Sequence, residues 1–159
     1  MIYIYTHAAE PIQIESDTLI SANLDNLDLH RADLENKILD NATIRNSTLR
    51  HAILTNTRCR YVDFSYSSLI GADFENSDLS FANLSNCKCI AANFRSANLT
   101  NSTFENSDLD RADFSYANLC GANLKSIDID KSKFEMAVFD DSTQWISGFD
   151  PILSGAVKL

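Results

Sequence analysis

Along most of the chain the bulky apolar residues recur at every fifth position. Stepping by five from Leu19 to Phe139, 25 consecutive centres are Leu, Phe, Ile or Cys, with no insertion. Two residues before each centre the side chain is Ala, Ser, Cys, Thr or Val in 21 of those 25 quintets, as at Ala72, Ala82, Ala92 and Ala112. The other three positions carry mainly Asp, Asn, Ser, Arg and Glu. A period of five fits neither an amphipathic helix nor an alternating strand. On a helix each step of five turns by about 140°, which would spread the leucines over every face. On extended chain, residues two apart share a side, so the small residue and the centre point inward together and the polar ones face water.

A quintet of this kind cannot bury its apolar side alone, so copies must coil and stack as a solenoid. The quintets, written A(D/N)LXX over residues 17–141, resemble those of the pentapeptide repeat family across about four-fifths of the chain. The resemblance implies an all-β fold, a right-handed quadrilateral parallel β-helix with about six coils of twenty residues. At roughly 4.8 Å between stacked strands the rod would be about 29 Å long. Three segments are expected: an N-terminal cap with degenerate repeats over 1–16, the repeat domain over 17–141, and a C-terminal cap over 142–159.

Residues twenty apart should form columns, one of which runs Leu34, Leu54, Phe74, Phe94, Phe114, Phe134. Lys37 falls on a small, inward position, and its column predecessor is Asp17, so an Asp17 to Lys37 pair is expected in place of a lone buried ammonium. Leu27 and Ile127, bulky at the same kind of position, are expected to plug the two ends. Ile2, Ile4, Ile12 and Ile14 keep the spacing in degenerate form and are expected to be strands closing the first coil. At the other end Trp145, Phe149, Ile152 and Leu153 are expected to cover the last coil. Asp150, Pro151 and Gly155 there predict the N-cap, first turn and end of a short helix. The wording TQW followed by GFDP is similar to the tails of cyanobacterial pentapeptide repeat proteins.

Composition adds limits. With 159 residues, four Gly and two Pro there is no linker at which to divide the chain, and one domain is expected. The first residues lack the basic region and apolar run of a signal peptide, so a cytoplasmic location is expected. Cys87 and Cys89 are the small and centre residues of one quintet and both point inward, Cys59 lies on another face, and Cys120 points outward. Buried reduced thiols are therefore expected, and no zinc set. His7, His30 and His51 read as scattered. The Asp and Asn before the centres, such as Asp33, Asp63, Asp73, Asn93 and Asp113, suit turn hydrogen bonding better than calcium. No nucleophile with its base and no phosphate loop is present, so a non-enzymatic chain without cofactor or metal is expected.

The surface supplies the candidates. Residues 41–62 hold Arg45, Arg50, Arg58 and Arg60 and no acid, a basic belt on a chain of net charge −9. Beside it, Ile70 and Ile90 should stack outward, Tyr61 and Phe81 should stack at a corner, and Tyr66 should lie nearby, a candidate contact patch. The leading reading is a structural or protein-interaction module with an unidentified protein partner, monomeric or weakly dimeric through its coil ends. No direct nucleic-acid or membrane binding is expected. The family resemblance also implies an alternative, a DNA mimic that shields DNA gyrase or topoisomerase from quinolones. Duplex of about 29 Å would carry roughly 17 charges, whereas the repeat region has a net seven negative charges.

Overall fold

The turn between quintets accounts for the period of five. The N–H of Ala22 donates to the carbonyl of Leu19 at 3.1 Å, and the bond recurs from Ala72 to Leu69 and from Ala97 to Phe94. At every fifth position from Ser21 to Gly121, the residue before the small one is held at positive φ, 57° at Ser21 and 63° at Tyr116. Positive φ at the third residue of such a turn defines type II geometry. Asn, whose short side chain tolerates this region, occupies it at Asn26, Asn36, Asn46, Asn76 and Asn106 among others. The motif's acidic or amide residue serves the same bend. Asp73 accepts from the Glu75 N–H at 3.1 Å, Asn93 from Arg95 at 3.0 Å and Asp113 from Ser115 at 2.9 Å. These oxygens are thus engaged with nearby backbone.

The computed structural model describes residues 1–7 and 10–159; Ala8 and Ala9, inside the expected N-terminal cap, lie outside the described residues. Between turns, single residues form parallel bridges to partners twenty positions on, from Asn23 with Thr43 to Asn118 with Val138. Stacking at this interval makes the chain a parallel β-helix. All 25 centres are buried. Four phenylalanines stack face to face: Phe74 and Phe94 are 5.2 Å apart, Phe94 and Phe114 5.0 Å, Phe114 and Phe134 5.2 Å. Phe104 packs edge-on against Phe94 at 5.4 Å. At Ser47, Ser67, Ser77, Ser107 and Ser132 the hydroxyl of the small residue enters the turn of the preceding coil, whereas Ser102 bonds within its own turn. Ser47 Oγ accepts from the Leu27 N–H at 3.1 Å and donates to the Leu24 carbonyl at 2.9 Å. Both backbone groups are thereby satisfied away from water.

The ends differ from expectation. Strands β1 (Ile2–Ile4) and β2 (Ile12–Ile14) do form, but as an antiparallel ribbon with Ile2 opposite Ile14 and Ile4 opposite Ile12. Ile4 is buried, and Ile2, Ile12 and Ile14 pack against the core. The Asp17 to Lys37 pair is absent: the terminal ammonium of Met1 pairs with Asp17, and Lys37 is exposed. Exposed at the mouth, the Lys37 ammonium stays in water instead of losing hydration. Leu27 packs half-buried against the core, but Ile127 is exposed and plugs nothing.

The cause is a one-residue slip. Ser126, small enough for the inward slot, takes it, and Ile127 bridges Asp108 at an interval of 19. After Asp128 at φ 54°, a 3-10 turn over Ile129–Lys131 absorbs the surplus residue, and Lys133 pairs with Asp113 in the regular interval. Ile129 remains buried.

The C-terminal segment leaves the quintet pattern in sequence yet stays in the stack. Strands β3 (Asn123–Leu124) and β5 (Gln144–Trp145) pair in parallel, as do β4 (Val138–Phe139) and β6 (Val157–Lys158). Trp145 and Phe149 stack on each other at 5.2 Å and meet Phe134 edge-on, closing the phenylalanine ladder. Ile152 and Leu153 do not cover the coil; Leu153 is 86% exposed. The expected short helix is a single turn. Asp150 Oδ1 accepts from the Ile152 and Leu153 N–H groups, as an N-cap would, but Gly155 at φ 91° turns the chain away at once so that β6 can reach β4.

Candidate interaction surface

The proposed basic belt separates into two kinds of arginine. Arg45 holds Asp25 of the preceding coil through Nη2 at 2.6 Å and Nε at 3.0 Å. Asp40, buried between coils, accepts from Arg58 Nε at 2.8 Å and from Arg60 Nη2 at 2.7 Å. Burial alone would raise the Asp40 carboxyl, but hydrogen bonds from Arg60 and the charges of Arg58 and Arg60 hold it below the ordinary carboxylate range. Three of the four arginines are therefore ion-paired within the fold, sharing two carboxylates. Arg50 is exposed and has no ion-pair partner among the described residues.

The apolar candidates lie beside it. Tyr61 and Phe81 stack at 4.8 Å, 9° from parallel, along one corner, and both are exposed. Tyr66 stands on the next corner, 65% exposed. Ile70 and Ile90 stand in the same outward column as Arg50, at steps of twenty, but are half-buried. Tyr61, Tyr66 and Phe81 sit at φ 60°, 62° and 61°. For large side chains this region costs roughly 1–2 kcal/mol each relative to ordinary backbone, so the fold holds these three rings outward at its own expense.

Around Tyr66 the face between two corners is concave. A groove of about 390 Å³ is lined by Thr48, Arg50, Tyr66, Ser68, Ile70 and Lys88 together with neighbouring turn residues. Lys88, Thr48 and Ser68 were not among the sequence candidates. Their signal was available in the columns, since Thr48, Ser68 and Lys88 are twenty apart and the three rungs 46–50, 66–70 and 86–90 hold no acid.

The histidines also differ from expectation, because they are not scattered. His7 and His30 lie 5.5 Å apart and His30 and His51 6.1 Å apart, each pair edge to face. The spacing from 30 to 51 is twenty-one, which a strict column count misses. Gly71, at φ 63°, lies under His51; a Cβ there would fall 2.5 Å from the ring. Desolvation first, then the charges of His7, Arg31 and His51, lower the His30 pKa against the opposing pull of Asp28.

Cys59, Cys87 and Cys89 are buried thiols, and Cys120 is partly exposed on the outer side. Burial pushes the Cys59 thiol up to about 12, which keeps it protonated and unreactive. Among the described residues no group of three or more His, Cys, Asp or Glu is arranged to hold a metal, and no helix is long and apolar enough to cross a membrane.

No match was found among curated proteins. Of solved structures, the chain is 21% identical to HetL, a pentapeptide repeat protein involved in heterocyst differentiation regulation from the cyanobacterium Nostoc sp. strain PCC 7120, covering 80% of this chain and 63% of that one, with a TM-score of 0.33. A second pentapeptide repeat protein from Nostoc is 26% identical, covering 83% and 84%, with a TM-score of 0.32. Full-length QnrB1, a plasmid-mediated fluoroquinolone resistance protein, is 12% identical, covering 89% and 91%, with a TM-score of 0.32. The family model for pentapeptide repeats matches eight copies over residues 22–58, 57–88 and 87–125. With more than half of its length matched and its turns, bridges and buried centres following the quintets, this chain belongs to the pentapeptide repeat family.

Proposed function

We propose that the protein is a non-enzymatic interaction module, a right-handed, four-sided rod of about six coils that presents the corner around Tyr66 to a protein partner. In this reading 1–16 and 142–159 cap a repeat body of 17–141, and the rod acts as a monomer in the cytoplasm. The observation that carries it is the trio Tyr61, Tyr66 and Phe81, exposed rings kept on left-handed backbone where Asn serves elsewhere. Exposed Tyr116 and Met136 also sit at positive φ farther along the rod; what sets Tyr61, Tyr66 and Phe81 apart is that they gather on adjoining corners, and strain concentrated in this way supports a functional surface. Arg50, Ile70 and Ile90 extend the same contact area, while Arg45, Arg58 and Arg60 serve mainly to tie coils together.

The test is affinity capture from the native host with wild-type protein and with Tyr66→Asn combined with Phe81→Asn. A partner retained by the wild type and lost by the variant supports the reading; equal capture overturns it. The gyrase-mimic reading has less support, because Asp25, Asp40 and Asp113 are each within ion-pair distance of cations and do not form an open row of charge.

A further inference from the structure

We propose that the groove beside Tyr66 receives an extended acidic segment of a partner protein, with carboxylates on residues three apart meeting Arg50 and Lys88. The inference rests on the interaction-module reading and names the chemistry of its partner. Both cations are exposed, and neither has an ion-pair partner among the described residues. They stand out on a chain with 22 acidic residues, since the three rungs that line the groove contain none. The hydroxyls of Thr48 and Ser68 face the same groove and make no hydrogen bond among the described residues.

Spacing selects the occupant. Arg50 and Lys88 lie two rungs apart, roughly 9.6 Å along the axis, and are offset by two positions across the face, a gap left to their long side chains. A segment in the polyproline II conformation has three residues per turn and rises about 3.1 Å per residue, so side chains three apart face one way at about 9.3 Å. One carboxylate then reaches Arg50, the next reaches Lys88, and the two intervening residues lie over Tyr66 and Ile70 on the middle rung. The bridges already pair the rung backbone within the stack, so recognition falls to side chains instead of an added strand. A nucleic acid fits less well, because its phosphates beyond this face would meet the net charge of −9.

The experiment uses the full chain and a fluorescein-labelled peptide of repeated Glu-Ala-Pro, read by fluorescence anisotropy at low salt. A Gln-Ala-Pro peptide and a single-stranded oligonucleotide are the comparison probes. Saturable binding of the Glu peptide is expected, with the Gln peptide failing to bind. Arg50→Glu and Lys88→Glu should each weaken it about tenfold, Lys125→Glu should not, and added salt should suppress it. Circular dichroism verifies that each exposed-site variant is folded. No binding of the Glu peptide, equal binding by the Arg50 and Lys88 variants, or preference for the oligonucleotide each overturns the proposal. Those outcomes leave the module reading standing if partner capture still depends on Tyr66 and Phe81; failed capture with intact peptide binding overturns the module reading alone.

Discussion

The ring of Phe94 lies 5.0 Å from that of Phe114 and only 9° from parallel, although twenty residues separate them in sequence. Each ring is fully buried and is also met edge-on by Phe104. Truncation in such a place loses both transfer energy and contacts across a cavity. Phe94→Ala is expected to destabilise the fold by about 3–5 kcal/mol in denaturant unfolding; a loss comparable with that of an ordinary surface substitution would show that the rings do not form one ladder.

Asp40 joins coils through two arginines at once. Asp40→Asn keeps the shape but removes the charge, and is expected to cost about 2 kcal/mol. The pH dependence follows from its lowered pKa. The unfolded carboxyl titrates near the ordinary aspartate value of 3.8 and the folded one below it, so the contribution is present above 3.8 and fades as pH falls through the folded value. Acid unfolding of wild type and Asp40→Asn should therefore converge at low pH, and curves that stay apart there would refute this assignment.

Tyr66 occupies a left-handed position that Asn fills in the adjacent coils, at Asn46 and Asn86. Tyr66→Asn should raise stability by roughly 1 kcal/mol by relieving the backbone, while reducing partner capture. A melting temperature that falls instead would mean that the tyrosine ring contributes packing the backbone strain does not outweigh.

The His7, His30, His51 stack gives a second pH-sensitive element. His30 has a folded pKa below the ordinary histidine value of 6.5, so well above that pH it is neutral in both states and no penalty exists. As pH falls from 6.5 through the folded value, the unfolded state takes up the proton first and stability declines, until both states are protonated. The His7 N–H donates to the His30 carbonyl at 2.9 Å, and the Asp33 N–H to the Tyr5 carbonyl at 3.0 Å. Protection of the β1 and β2 amides from hydrogen exchange, taken relative to the intrinsic rate at each pH, should therefore fall in mild acid, and His30→Gln should blunt the effect. An NMR titration placing His30 above 6.5 would reverse the prediction.

Supercoiling by DNA gyrase in the presence of a quinolone tests the alternative reading. No protection is expected, since the acidic side chains facing Arg45, Arg58, Arg60, Arg95 and Lys133 are already engaged. Dose-dependent recovery of supercoiling would restore the mimic.

What could be read from the sequence follows from how each position is constrained. Centres such as Phe74 and Leu99 and small residues such as Ala92 obey one local rule repeated many times, so their burial was legible. Tyr61 over Phe81 was legible for the same reason, as a twenty-residue step on one corner. The departures arise where a local rule competes with a neighbour absent from the quintet. Met1 reaches Asp17 before Lys37 can, Ser126 displaces Ile127 from the inner slot, and the pairing of β6 with β4 cuts the C-terminal turn short. The histidine stack combines residues from different turn positions and the N-terminal segment, which no single column contains.

The type II bend separates two kinds of information within each quintet. Its inner pair is answerable to the coils above and below, whereas its left-handed residue answers to water and can be exchanged without disturbing the lumen. Corners can thus diverge while the tube stays the same, subject only to neighbours in their own corner column, as Phe81 is to Tyr61 and Gly71 to His51. A chain built in this way can acquire a new partner one corner at a time, limited only by how many strained side chains the stack tolerates.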